Sequence, residues 1–577
     1  MTGLQLSAVA VVLTAGLTVA RPARSAVPPA ADLLLTGGAV YTLDAARSWA
    51  QAVAVRAGRI VYVGSDEGAR PFVGPKTRVV GLGGRMLIPG FQDAHVHPVS
   101  GGIELTQCDL NDLATRDAVV EKVKQCAQDR SKPWLVGGGW LLPLFPAGAP
   151  TRELLDDLVP DRPAYLSAAD GHSAWVNSRA LALAGVTRDT QDPPNGRIER
   201  DPKTGEASGT LRESAVNLVA RLLPKATPAE RSEGLRRALA YFARLGITAI
   251  QEASASRAAL EAYRDAEKRG ELHARVVVAL GVDDGAEQLD APAPAAGSVV
   301  ERLAKLREEF RSPRVHPTAA KIFADGVVEA RTAAMLEPYL DRPEQRGEPN
   351  YAPQSLNALV ASLVKARFSV HIHAIGDRAV RLSLDALEAA GVRAGAGGPR
   401  HQLAHLEFVH PADVPRFRTL GVIANFQPLW SYADSYITDL TLPALRPETA
   451  RTIYPIGSAV RAGAPLAFGS DWSVSSANPL EGIQTAMTRQ GLDGQPEPFL
   501  PEEAIDLATG LAAYTIGAAH ANGLDTDTGS IEVGKLADLA VLSDDLFARP
   551  PHEIAKTKVL LTLLEGQPVY RDPAMAW

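Results

Sequence analysis

At 577 residues, with 59 basic against 66 acidic side chains and a net charge of −7, the chain is too long for one small domain. It also lacks the basic surplus of a nucleic-acid or anionic-membrane binder. Hydrophobic residues make up 46% and charged residues 22%, the balance of a folded enzyme rather than a disordered chain.

In chain order, residues 4–20 are apolar and are followed by Arg21-Pro22-Ala23-Arg24-Ser25-Ala26, whose small residues suit cleavage. This resembles a secretory signal peptide over residues 1–25, too short for a comfortable membrane span, although no Lys or Arg precedes the apolar run. The pattern predicts export, periplasmic or extracellular; an uncleaved anchor or a misassigned start are the alternatives, and without a signal the chain would be cytoplasmic. The two cysteines, Cys108 and Cys126, are too few for a thiolate metal site, and pairing and two free buried thiols both remain open.

Strand patterns begin at once. Residues 33–43 alternate, 52–63 read as a hairpin turning at Ala57-Gly58, and 77–88 add a short pair around Gly83-Gly84. The same style returns at 529–542, 559–564 and 569–570. Residues 32–88 and 525–577 are therefore expected to build one small, sandwich-like β domain from both ends of the chain.

Between them, short apolar strands alternate with helical stretches such as 378–390 and 456–462. The strands are 91–97, 247–253, 274–282, 319–325, 368–375, 401–409, 422–427 and 466–471. Eight such units predict an α/β fold, a closed (β/α)₈ TIM barrel, over residues 89–106 and 241–524. About 150 residues separate the first two strands, far beyond an ordinary connection, so residues 107–240 read as an inserted subdomain and a candidate lid.

The chemistry concentrates at strand ends. In Asp93-Ala94-His95-Val96-His97, positions i and i+2 of a strand face the same way, so both imidazoles project from the end where barrel enzymes keep their active sites. Lys321 interrupts an apolar strand, where an amine is costly unless something uses it. His373, His405 and Asp471 close later strands. Singly, each has an ordinary explanation: a salt-bridged lysine, a core histidine bonded to backbone, an aspartate capping the next helix. Together, six metal-competent side chains at matching ends of five strands point to a metal site.

The order His-x-His on strand one, Lys on four, His on five, His on six and Asp on eight resembles the amidohydrolase superfamily with a two-metal centre. Residues 89–97, 170–180 (DGHSAWVNSRA), 321–326, 373–377, 469–474 and 529–539 (GSIEVGKLADL) are similar, more narrowly, to amidohydrolase family 3, which includes N-substituted formamide deformylases. The resemblance implies that His95, His97 and Asp471 hold one divalent ion, most simply zinc, and that His373 and His405 hold a second. Lys321 would bridge the two as a carbamate, and Asp471 would also be the catalytic proton carrier. His371, two residues deeper than His373, reads as support or core packing. The implied reaction is hydrolysis of a non-peptide C–N bond by metal-activated hydroxide, in an amide, an N-substituted formamide or a cyclic amide.

His172, Trp140, Trp430 and Trp472 are candidate substrate contacts, with packing as the competing reading for the tryptophans. Esters, lactones or phosphotriesters are alternative substrates of such a site; a one-metal deaminase and a catalytically silent binding protein are the remaining alternatives. A small-molecule substrate is expected, with no nucleic acid and no stable membrane insertion of the mature chain; a homodimer is left open.

Overall fold

The computed structural model describes residues 28–283, 296–395, 397–575 and 577. The signal-peptide reading of residues 1–25 lies outside them. Among the described residues, no helix is long and apolar enough to cross a membrane.

Eight parallel strands form the central sheet: β1 (Phe91–Val96), β2 (Ile247–Ala255), β3 (Arg275–Gly281), β4 (Val315–Phe323), β5 (Ser369–Ala374), β6 (Gln402–His405), β7 (Ile423–Phe426) and β8 (Leu466–Phe468). Each pairs with the next in sequence. The ring closes just past the end of β8, where Asp471 N–H donates to the His95 carbonyl and His97 N–H to the Trp472 carbonyl, both at 2.8 Å. That is the TIM barrel the alternating pattern predicts.

Side chains fill the barrel. Gln402 Nε2 on β6 donates to Gln251 Oε1 on β2 (2.7 Å), a bond that can only cross the interior. Asn425 joins it, donating to Gln402 Oε1 and to the Ala94 carbonyl. Outside, Phe91, Leu260, Val276, Ile322, Leu363 and Leu384 belong to the large apolar layer between strands and helices.

The closing seam has no room to spare. A Cβ on Gly469 would lie 2.6 Å from His95 N and 2.7 Å from His95 Cβ. Gly469→Ala is expected to destabilise the protein by about 3 kcal/mol, as overpacking against backbone does. A fall in Tm together with reduced metal uptake would be the signature, because the clash displaces His95.

The two chain ends build two sheets. One, of four strands, runs Arg59–Gly64, Ala52–Arg56, Leu33–Thr36, Arg78–Gly81. The other, of six, runs Gln567–Arg571, Val559–Leu564, Leu539–Leu542, Met86–Pro89, Ala39–Tyr41, Trp49–Ala50. The alternating stretch 33–43 is thus two strands in different sheets, broken at Gly37-Gly38, where Gly37 has φ +67°. Of residues 529–542, only Leu539–Leu542 is strand. Leu35, Val53, Val80, Leu87, Val541 and Leu561 pack in the core shared by the two sheets.

These sheets sit at the N-terminal end of the barrel strands. Arg275, the first residue of β3, is buried with its guanidinium on Asp538 (2.7 and 3.3 Å) and Glu565 (2.7 Å). The chemistry therefore lies at the opposite end.

Between β1 and β2 stands a separate six-stranded sheet, Cys108–Asp109 through Gly196–Arg200, whose first strand carries a Cys108–Cys126 disulfide. The helix Pro228–Arg244 leads into β2 and starts with a capping box between Thr227 and Glu230. It packs against the helix Pro98–Glu104 and so belongs to the barrel wall. It runs unbroken across residue 240, so the stretch read as insertion gives way to barrel helix at Pro228.

His401 precedes β6 and is buried, with Nδ1 accepting the Val370 N–H at 3.2 Å. Burial pushes its pKa down to about 4. The unfolded chain therefore binds the proton first: stability from this group is intact above pH 6.5 and is lost as pH falls towards 4. Between pH 7 and 5 the loss is about 2 kcal/mol. Unfolding free energies from urea titrations at the two pH values should differ by that much more in the wild type than in His401→Gln.

Candidate metal centre

Six of the side chains singled out in the sequence meet at the C-terminal mouth of the barrel, with His371 just beneath. The seam between β1 and β8 sets the first group. Asp93 is fully buried and its carboxylate accepts the N–H groups of His95 and Ser470 (3.0 Å each) and the Ser470 hydroxyl (2.5 Å). This locks the two strand ends together and holds His95, His97 and Asp471 in one cluster, their ligand atoms within 4.8 Å of one another. Asp471 Oδ1 lies 3.4 Å from His95 Nε2 and 3.2 Å from His97 Nε2. Although buried, that oxygen makes no hydrogen bond.

Backbone strain marks the same places. Asp471 has φ +56° and His405 φ +76°, conformations costing of order 1–3 kcal/mol each in non-glycine residues. Both turn a side chain back over the mouth instead of out along the next helix.

Lys321 on β4 is 1% exposed, with Nζ 3.3 Å from His95 Nε2 and 4.6 Å from the centre of the Phe323 ring. Burial pushes its pKa down to about 7. His373 and His405 have ring centres 4.5 Å apart. His405 Nδ1 bonds Gln427 Oε1 at 2.8 Å, and His373 Nε2 lies 3.3 Å from the Gly326 carbonyl. In each ring the opposite nitrogen is left for another partner. His371 Nε2 meets His95 Nδ1 at 2.8 Å, which turns His95 Nε2 toward Lys321 and Asp471. Burial, then mutual repulsion and Lys321, hold the pKa values of His95, His371, His373 and His405 well below the usual histidine range. Neutral imidazoles are the form that binds metal.

His97 differs, being partly exposed. Burial lowers its pKa, but Asp471 and Glu252 outweigh that and raise it to about 9. Glu252 on β2 lies 3.7 Å from His97 Nδ1 and accepts the Tyr263 hydroxyl at 2.8 Å.

Of the candidate substrate contacts, two reach the mouth. His172 extends from the inserted sheet to within 5.4 Å, centre to centre, of the His373 ring. Trp430 stacks on His405 at 5.7 Å with planes 10° apart. The other two are corrected. Trp140 is fully buried with Phe145 and Trp175, its indole N–H on the Leu166 carbonyl (2.9 Å), and exposes nothing to the mouth. Trp472 packs outward on Tyr241 and Phe242 beneath the helix Pro98–Glu104, because the turn after Asp471 sends consecutive side chains to opposite sides.

Sequence reasoning missed Glu213, Thr332, Asp325 and Asp93. Glu213 Oε2 holds His172 Nδ1 at 2.8 Å, and its Oε1 accepts the Thr332 hydroxyl at 2.5 Å, clasping the insertion to the loop after β4. Asp325 accepts the N–H groups of Ala334, Ile375 and Gly376 and so braces that loop beside His373. Asp93, in Asp93-Ala94-His95, and Asp325, in the run 321–326, were readable as parts of motifs; Glu213 and Thr332 leave no local pattern.

An amidohydrolase family model matches residues 78–570. The chain belongs to that family. Among relatives of this amidohydrolase, the protein LONG AFTER FAR-RED 3 of Arabidopsis thaliana is 31% identical over 95% of this chain and 93% of its own. The N-substituted formamide deformylase of Arthrobacter pascens is 29% identical over 93% and 97%. The crystal structure of an uncharacterized metal-dependent hydrolase from Pyrococcus horikoshii shares the fold, with a TM-score of 0.70 at 23% identity, over 93% of this chain and all of that one. The amidohydrolase is thus a hydrolase of this superfamily, with an additional β domain beside its barrel.

Proposed function

We propose that the protein hydrolyses a non-peptide C–N bond, in an amide, an N-substituted formamide or a cyclic amide, using two divalent ions at the barrel mouth. The observation that carries this is Asp471 Oδ1, a buried carboxylate oxygen with no hydrogen bond, facing two imidazole nitrogens across 3.2–3.4 Å. Without an ion, only the charge of His97, whose pKa Asp471 and Glu252 raise against burial to about 9, stands beside that oxygen; a bound metal would complete it and leave the imidazole neutral.

His95, His97 and Asp471 would hold one ion, and His373 and His405 the other. Lys321, whose amine is buried next to His95 with its pKa pushed down to about 7, would serve both ions: the ammonium gives up one proton, and the free amine adds to CO₂ and loses a second, leaving an anionic carbamate with two oxygens to offer. The nitrogen-rich donor set suits zinc. Ions held there supply Lewis acidity, lowering the pKa of a water and drawing charge from the substrate carbonyl.

The chain's own groups do the rest. Asp471 accepts the proton of the attacking water and passes it to the departing nitrogen. Glu213 outweighs burial and raises the pKa of His172 to about 9, so the ring keeps both protons: Nδ1–H goes to Glu213 and Nε2–H is left to donate to the carbonyl oxygen. Trp430 forms an apolar wall against His405. The likeness to a formamide deformylase supports the C–N reading. The test is a panel of formamides, acylamino acids, cyclic amides, esters and phosphotriesters assayed with metal-loaded enzyme. Turnover of amides above esters is expected; turnover of esters or phosphotriesters alone would overturn the C–N assignment.

We further propose export. The apolar run 4–20 and the Cys108–Cys126 bridge, which fits an oxidising compartment, support it. N-terminal sequencing of the mature protein should find residues 1–25 removed; an intact terminus on cytoplasmic protein would contradict it.

A further inference from the structure

The histidines at the mouth differ in what holds one nitrogen of each ring. His95 Nδ1 has His371 Nε2 at 2.8 Å, and His405 Nδ1 has Gln427 Oε1 at 2.8 Å. His373 Nε2 has the Gly326 carbonyl at 3.3 Å. These partners are uncharged and the three rings are buried. His97 is the exception. Its side chain is 25% exposed, and its Nδ1 faces a carboxylate oxygen, Glu252 Oε1, at 3.7 Å. That is an ionic contact, longer than a hydrogen bond.

Two observations single out Glu252. Its carboxylate is buried, 3% exposed, and the two oxygens are used unequally. Oε2 accepts the Tyr263 hydroxyl at 2.8 Å, whereas Oε1 makes no hydrogen bond among the described residues. Tyr263 is fully buried on the helix Arg257–Lys268, so the carboxylate is anchored from outside the barrel. The strand also departs from regularity at this residue. β2 slips register against β1 between Ile250 and Glu252, and against β3 between Glu252 and Ala255. Irregularities of this kind re-aim a side chain at the rim of a barrel. Here the slip sets Glu252 opposite Val96, the residue before His97. A buried carboxylate with one oxygen left over is costly if it serves packing alone.

We propose that Glu252 is a positioning residue of the metal centre: it accepts the Nδ1–H of His97, holds that ring in one tautomer and orientation, and leaves Nε2 for the ion, while Tyr263 holds the carboxylate. The proposal rests on the two-ion reading and names the residue pair that sets the affinity of one ion. Glu252 touches neither ion nor substrate. His97 needs such a brace more than the other ligands because its ring is the least enclosed. Partners of this kind on a ligating imidazole are worth about 10–100-fold in metal affinity.

The test is a zinc titration of the metal-free protein against a competing chelator, in wild type, E252Q, H97A and the double variant. Wild type is expected to bind two ions per chain. E252Q should hold one of them about 30-fold more weakly and leave the other unchanged. Because Glu252 acts through His97, adding E252Q to H97A should weaken zinc binding no further, a result that general damage to the fold does not give. Y263F keeps the carboxylate and loses only its anchor, so the same ion should weaken by about 5-fold, the worth of one hydrogen bond. Should E252Q fail to fold, Y263F and its combination with H97A decide on the same terms. Unchanged zinc affinity in E252Q and Y263F overturns the brace. So does a double variant that falls below H97A by the full factor seen in E252Q alone. A wild type that binds no zinc overturns the two-ion reading instead.

Discussion

Asp471→Asn is expected to lower kcat/KM by about three orders of magnitude while most of the metal stays bound. The substitution keeps one ligand oxygen and the side chain's shape but removes the ability to take up a proton, and general acid–base catalysis contributes on the order of 10²–10⁴-fold. The geometry leaves little scope for a substitute. Glu252 is tied to Tyr263 and faces His97 on its Nδ1 side. Glu213 is held by His172 and Thr332. Neither stands where Asp471 Oδ1 does, between the Nε2 atoms of His95 and His97. Full activity in the variant, with metal present, would remove Asp471 from the proton path.

Lys321→Met should be nearly as damaging by a different route. Methionine fills the same channel beside Phe323 and removes a buried amine, so the metal-free protein should fold at least as stably as wild type. What it cannot do is take up CO₂ and supply the anionic oxygens that the proposed two-ion centre requires. The expected result is an activity loss of at least about 100-fold together with loss of one ion per chain, the cost of removing a ligand from a preorganised site. Normal metal content and normal kcat in this variant would show that Lys321 is only a packed core residue.

Much of this site was legible because barrel chemistry obeys two periodicities. The two-residue period of a strand brings His95 and His97 together from five residues of text. The strand–helix alternation places Lys321, His373, His405 and Asp471 at the same end of the ring. His371 was legible only as a deeper neighbour; that it bonds His95 Nδ1 depends on β1 and β5 facing each other across the interior. Contacts made by the insertion were not legible at all. Glu213 and Thr332 lie 119 residues apart and meet only because one sheet overhangs another loop. Trp140 and Trp472 failed for a related reason: a position next to a motif does not tell which way the chain turns. Trp140 turns into the core of the insertion and Trp472 into the barrel wall, whereas Trp430, on the loop after β7, stays at the mouth. The terminal sheets were readable as strands, but their short lengths hid the switch at Gly37-Gly38 from one sheet to the other.

The most direct test is anomalous X-ray scattering, recorded at the zinc edge from crystals of the zinc-loaded protein. Two peaks are expected at the barrel mouth, one within coordination distance of His95, His97 and Asp471 and one of His373 and His405, with density joining Lys321 Nζ to both. Zinc bound elsewhere, or a mouth with no peak in protein that hydrolyses its substrate at full rate, would contradict the account.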